Sequence, residues 1–131
     1  MTPDFLPHQK DLFPVLKNYF DGLYHADSQL LSKVFHPDAR YVNMTNNDYM
    51  NLSIPEYLHI IDQRTPPATN QEPRNDQILA IDFSNNSLAF VKGKMTMMGR
   101  EYLDLLTCTF DKNEWRIMSK IFTYQTIQEE K

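Results

Sequence analysis

The sequence holds a single cysteine, Cys108, among 131 residues. One thiol cannot close an internal disulfide or build a four-cysteine zinc site, and a reducing cytoplasm is the expected setting. Glycine is also scarce, at three residues, and no Gly-rich phosphate loop can be drawn from them. No stretch approaches the ~20 apolar residues of a membrane span, and no membrane partner is expected. The segment Met1–Pro7 has neither a basic cluster nor an apolar run, so a secretory signal is not expected there. Positive charge is not in excess: 13 basic residues stand against 17 acidic ones, for a net charge of −4. Nucleic acid usually demands a basic face, so none is expected as a partner. The four histidines, His8, His25, His36 and His59, lack metal-ligand spacing such as His-Glu-x-x-His. Neither a metal nor a cofactor is expected.

Against these absences stand 41% hydrophobic and 23% charged residues, ordinary values for one globular domain spanning 1–131. Seven methionines, eight phenylalanines and seven tyrosines suit a core, and they also suit a pocket for a flat ligand.

Leu12, Val15, Leu16, Tyr19, Phe20 and Leu23 recur at helical spacing and predict a helix over about Asp11 to His25. Asp27 is placed to cap a second, short helix carrying Leu30, Leu31 and Val34, which Pro37 ends. Ala39 to Thr45 reads as a strand, and Asn46-Asn47-Asp48 as a loop. Ser53 and Glu56 have capping-box spacing ahead of Ile54, Tyr57, Leu58 and Ile61, with Pro55 in the first turn. Thr65 to Asp76 is polar, carries Pro66, Pro67 and Pro73, and is the best candidate for a mobile loop.

From Gln77 the pattern changes to strands: Gln77–Ser84, Leu88–Met97, Arg100–Asp111 and Trp115–Thr126. Asn85-Asn86, Met98-Gly99 and Lys112-Asn113 fit the turns between them. Helices followed by a run of paired strands predict an α+β domain. If Lys112-Asn113 is a two-residue turn, alternation places Tyr102, Asp104, Leu106, Cys108 and Phe110 on one face. Trp115, Ile117, Ser119, Ile121 and Thr123 would share it. Leu103, Leu105, Met118, Lys120 and Phe122 would take the other. Both faces are apolar, so one should cover the helices and the other a partner subunit or covering segment.

Three stretches together resemble a known superfamily. The first is Tyr19-Phe20-Asp21-Gly22-Leu23-Tyr24-His25-Ala26-Asp27 with Phe35-His36-Pro37-Asp38-Ala39. The second is Leu52-Ser53-Ile54-Pro55-Glu56-Tyr57-Leu58 with Arg64-Thr65-Pro66-Pro67. The third is Tyr102-Leu103-Asp104-Leu105-Leu106 with Glu114-Trp115-Arg116-Ile117-Met118-Ser119-Lys120-Ile121-Phe122. The sequence is similar, from about Leu12 to Tyr124, to the nuclear-transport-factor-2-like superfamily, in its branch called putative lumazine-binding. That resemblance implies a cone-shaped, cystatin-like α+β fold, with two to three N-terminal helices on a curved antiparallel sheet around a pocket. It also implies a homodimer through the sheet. The superfamily contains isomerases, dehydratases, polyketide cyclases, hydrolases and non-catalytic binders, so fold does not select a chemistry.

Comparison with the ketosteroid isomerases of that superfamily carries over one residue at a time. Their oxyanion-hole tyrosine falls at Tyr19. Their carboxylate base falls at Asn43, which cannot accept a proton as a base at neutral pH. Their second oxyanion donor falls at Leu106. Isomerisation by that pair is therefore not expected. Asp104, two residues from Leu106, matches an aspartate typical of the lumazine-binding branch, and Lys120 matches a family lysine.

Each candidate has a functional and a structural reading. Tyr19 is a hydrogen-bond donor to a ligand, or a core tyrosine bonded within the protein. Asp104 is an acid, a base or an anchor, or a buried partner for a basic residue. Asn43 orients a ligand carbonyl, or bonds loop backbone at the strand end. Cys108 faces the pocket, or is small core filling with no base beside it. Lys120, on the face opposite Asp104, is a dimer contact. Arg64 guards the pocket mouth for an anion, or is solvated. His25 and His36 suit helix ends, and His59 an exposed helix face.

Two hypotheses follow. The first is a small-molecule-binding domain whose ligand contacts include Tyr19, Asn43, Tyr102, Asp104, Leu106 and Cys108. The second is a lyase, isomerase or cyclase of a small cyclic substrate, with Asp104 as acid or base and Tyr19 as donor. It requires both side chains to reach one cavity.

Overall fold

The structure, a computed structural model, describes residues 8–127. Leu12, Leu16, Tyr19, Phe20 and Leu23 return every three or four residues and are all buried, which fixes the inner face of helix α1, Leu12–His25. Ala26 ends it in the left-handed region (φ 47°), where the Ala26 and Asp27 N–H groups donate to the Leu23 and Gly22 carbonyls. The Asp27 carboxylate then accepts the Leu30 N–H at 3.0 Å and starts α2, Ser28–Val34. At Gly22 a Cβ would come within 2.7 Å of the Leu31 side chain, so glycine lets α1 and α2 meet. Ser53 and Glu56 form the capping box of α3, Ile54–Gln63, with Pro55 in its first turn.

Six strands complete the described residues: β1 (Phe35–Asn43), β2 (Met50–Ser53), β3 (Gln77–Ser84), β4 (Leu88–Met97), β5 (Arg100–Asp111) and β6 (Glu114–Thr126). They form one curved, open sheet in the order β2-β1-β6-β5-β4-β3. It is mixed rather than wholly antiparallel, because β1 runs parallel to β6. That ladder is irregular between Phe35 and Arg40, and Pro37 lies in the break, where its missing N–H is no loss. The β4–β5 and β5–β6 connections are two-residue turns with positive φ at both positions, 55° and 73° at Met98-Gly99 and 53° and 67° at Lys112-Asn113. This backbone matches the twist of paired strands.

The helices cover one face of the sheet. Alternation brings Ala89, Val91, Met95 and Met97 of β4 and Tyr102, Leu106 and Cys108 of β5 inward to the core. Leu103 and Leu105 point outward and are 37% and 38% exposed. The proline-bearing segment between α3 and β3 is tied down at several points. Ala68 N–H donates to the Tyr24 carbonyl at 3.0 Å, and the Tyr24 hydroxyl to the Glu72 carbonyl at 2.6 Å. Met98 N–H donates to the Glu72 carboxylate at 2.7 Å, and Arg74 pairs with Asp21 and Asp76.

Candidate functional site

An unbroken β5–β6 ladder would set Ile121 and Thr123 beside Asp104. Pairing instead runs from Asp111↔Glu114 to Cys108↔Ile117 and resumes at Thr107↔Ser119. Met118 is the extra residue of a β-bulge, and beyond it every β6 side chain changes face. Lys120 and Phe122 therefore turn inward, to 3% exposure each, while Ile121 and Thr123 turn outward. This corrects the expectation that Lys120 lies opposite Asp104 as a dimer contact.

The inward Lys120 joins a buried cluster. Tyr19 donates its hydroxyl to Asp104 Oδ2 at 2.5 Å, and Lys120 Nζ lies 4.0 Å from the same oxygen. Four rings surround the ammonium, with centroids 5.0 Å away for Tyr19 and Phe122, 5.5 Å for Tyr41 and 5.7 Å for Tyr57. Such ring faces attract a cation once water is excluded. Burial nevertheless lowers the Lys120 pKa to about 8, against the pull of Asp104 and with a push from Arg64. Burial, then the Asp104 charge, raises Tyr19 well above its ordinary range. Asp104 Oδ1 and the Tyr57 hydroxyl have no hydrogen-bond partner among the described residues.

A cavity of about 260 Å³ opens where the end of α3 meets the ends of β1, β5 and β6. Tyr41, Tyr102 and Phe122 give it aromatic walls, Met50 and Ile60 an apolar flank, and Asn43, Asp48, Arg64 and Arg100 a polar rim. The Tyr41 and Phe122 rings that line it are the same rings that face Lys120. The cavity and the buried cluster are thus separated by a single aromatic layer.

Asn43 and Tyr102 line this cavity, whereas Tyr19, Asp104, Leu106 and Cys108 do not. All four are buried in the interior at 0–1% exposure. Asn43 also holds its own strand end, donating to Asp48 Oδ2 at 3.1 Å and accepting from Thr45 N–H at 2.9 Å. Burial pushes the Cys108 thiol up to about 12. His36 Nδ1 accepts the Asp38 N–H, and His59 is exposed on α3. Sequence reasoning missed Tyr41 and Arg100 as lining residues. Tyr41 could have been found, because it stands two residues before Asn43 on the same face of β1. The cavity position of Arg100 depends on where the β5 end meets the Asp48 loop, and no periodicity reports that.

Solved structures share this architecture. An NTF2-like protein of unknown function from Shewanella baltica aligns over 95% of this chain and 98% of its own, at 19% identity and a TM-score of 0.81. Another from Silicibacter pomeroyi aligns over 90% and 96%, at 17% identity and a TM-score of 0.79. A domain of unknown function with a cystatin-like fold from Nostoc punctiforme aligns over 92% and 80%, at 12% identity and a TM-score of 0.72. At these identities the likeness concerns the fold, which is that of a nuclear-transport-factor-2-like domain. Residues 8–123 match the family described as putative lumazine-binding, and the chain belongs to that family. No curated protein matches the sequence.

Proposed function

We propose that the protein is a small-molecule-binding domain whose ligand enters the cavity beside Asn43 and Tyr102. The observation that carries this reading is the cavity itself, walled by Tyr41, Tyr102 and Phe122 and rimmed by polar groups. Flat aromatic walls with a few convergent polar groups are the usual make-up of small-ligand sites. At about 260 Å³ it falls just under the range of about 300–1,000 Å³ for drug-sized ligands, which suits a one- or two-ring molecule. A lumazine-type heterocycle, as the family description names, is of that size and shape.

The enzyme reading needs Asp104 and Tyr19 at the cavity. Both are 0–1% exposed, and Asp104 is engaged by Tyr19 and Lys120. That arrangement favours a structural polar cluster over acid–base chemistry at Asp104.

The test is calorimetric titration with lumazine and a small set of one- and two-ring heterocycles, on the wild type and on Ile60→Trp. The bulky indole should fill the cavity, so binding present in the wild type should vanish in a variant that melts normally. Equal binding by both proteins would place the ligand elsewhere.

A homodimer through the outer sheet face forms the second part of the proposal. Leu103, Leu105 and Ile121 are 37%, 38% and 42% exposed there, around an apolar hollow of about 240 Å³. An apolar face of this kind is the expected mark of an interface. Sedimentation should show a dimer for the wild type and a monomer for Leu105→Lys/Ile121→Lys; a monomeric wild type contradicts it. A cytoplasmic setting fits the free, buried Cys108. Among the described residues no helix is long and apolar enough to cross a membrane.

A further inference from the structure

We propose that the cavity takes an anionic ligand, a carboxylate or enolate carried on a small flat ring, held between Arg64 and Arg100. This rests on the binding reading above and names the charge of its ligand.

The chain has five arginines. Three are engaged: Arg40 with Asn51, Arg74 with Asp21 and Asp76, and Arg116 with Glu114. The other two, Arg64 and Arg100, form no ion pair within 4.0 Å among the described residues. Both line the same cavity. Unpaired guanidiniums converging on one concave site are suited to a planar anion, which their N–H edges bind in bidentate fashion.

Local structure holds them in place. Arg64 follows the last turn of α3, where its N–H donates to the Ile61 carbonyl at 3.1 Å. The Arg100 guanidinium stacks 4.1 Å over the Tyr124 ring, which fixes its plane, and its one side-chain partner, Tyr102, is neutral and leaves its charge uncompensated. Tyr124 is itself anchored, its hydroxyl donating to Asp48 Oδ2 at 2.5 Å. The same Asp48 oxygen also receives the Asn43 amide. The rim carboxylate is thus already committed to two neutral donors, and two guanidiniums face one carboxylate across the opening. Behind the Tyr41 and Phe122 rings, Lys120 is balanced by Asp104. The site as a whole carries a positive excess.

The aromatic walls supply the other half of the recognition. Tyr41, Tyr102 and Phe122 offer faces on which a ring can lie, with the two arginines beyond its edge. A neutral ring would gain the stacking but leave the guanidiniums to water.

The test uses matched aromatic acids and amides, benzoate with benzamide and 2-naphthoate with 2-naphthamide. Binding is followed by amide chemical-shift titration of the full chain. In the wild type the acids should bind about tenfold or more tightly than the amides. Arg64→Gln/Arg100→Gln should abolish the preference by weakening the acids far more than the amides, in a protein that melts near the wild-type temperature. Raised salt should weaken the acids selectively. Acids and amides binding equally well would overturn the anion inference and leave the binding reading standing. A preference retained in the double variant would also overturn it. No shift at any cavity residue with any of the four compounds would count against both.

Discussion

Lys120 lies 4.0 Å from Asp104, although unbroken alternation along β6 would put them on opposite faces of the sheet. The cause is one residue, Met118, which has no partner on β5. The bulge brings the cation to its aromatic enclosure and sets Phe122 as a cavity wall. It also sends Ile121 to the outer face.

Deletion of Met118 removes the device. Lys120 and Phe122 would face outward and Ile121 inward, leaving Asp104 buried without its cation. The deletion variant should lose its cooperative thermal transition and its near-ultraviolet dichroism. Met118→Ala keeps the extra residue and should stay within about 1 kcal/mol of the wild type. A deletion variant that melts like the wild type would mean that the bulge does not fix the register.

The bulge also shows where sequence reading stops. β3, β4 and β5 follow from alternation and from the Asn and Gly turns between them, and their limits match the expected ones. The capping residues Asp27 and Ser53 announced α2 and α3 in the same way. Along β6 both phases are apolar, Ile117 with Ile121 and Met118 with Phe122, so a change of phase leaves no break in the pattern. Strand β2 was missed because four residues ending on a helix cap carry too little periodicity. Of the cavity lining, Asn43, Tyr102 and Arg64 were legible as candidates. Arg100 was not, because its position there depends on tertiary closure.

Removal of one partner from the buried cluster should be costly. Tyr19→Phe deletes the donor to Asp104, and Oδ1 of that carboxylate already has no hydrogen bond among the described residues. The expected loss is about 1–3 kcal/mol in urea unfolding. Combined with Asp104→Asn in a double-mutant cycle, the pair should show a coupling of about 0.5–3 kcal/mol. Additive effects would mean that the short contact contributes nothing specific.

Stability should depend on pH through Lys120. Burial lowers its pKa from 10.5 to about 8 in the folded protein. Between those values the unfolded chain binds more protons than the folded one, so this group's contribution improves as pH rises through the window. Below it the buried ammonium is a standing cost. Above about pH 10 the buried tyrosines act oppositely, since Tyr19 and Tyr57 keep their protons when the unfolded chain loses them. Comparison with Lys120→Met isolates the lysine. From about pH 7 to about pH 10 the wild type should gain on the variant by on the order of 1–3 kcal/mol. A constant difference across that range would contradict the assignment.

Cys108 should be inert in the native state. It is fully buried and its thiol is pushed up to about 12, so thiolate is scarce at neutral pH. A disulfide exchange reagent at neutral pH should find no reactive thiol until urea unfolds the chain, and then one per chain. Prompt reaction of the folded protein would show that the interior behind Leu106 opens.

Ligand binding at the cavity is tested most directly by amide chemical-shift mapping with lumazine. The largest shifts should cluster at Asn43, Arg64, Arg100 and Tyr102 and saturate with one ligand per chain. Shifts confined to the outer face around Leu103 and Leu105, or no shift at saturating lumazine and its ring analogues, would contradict a binding site at this cavity.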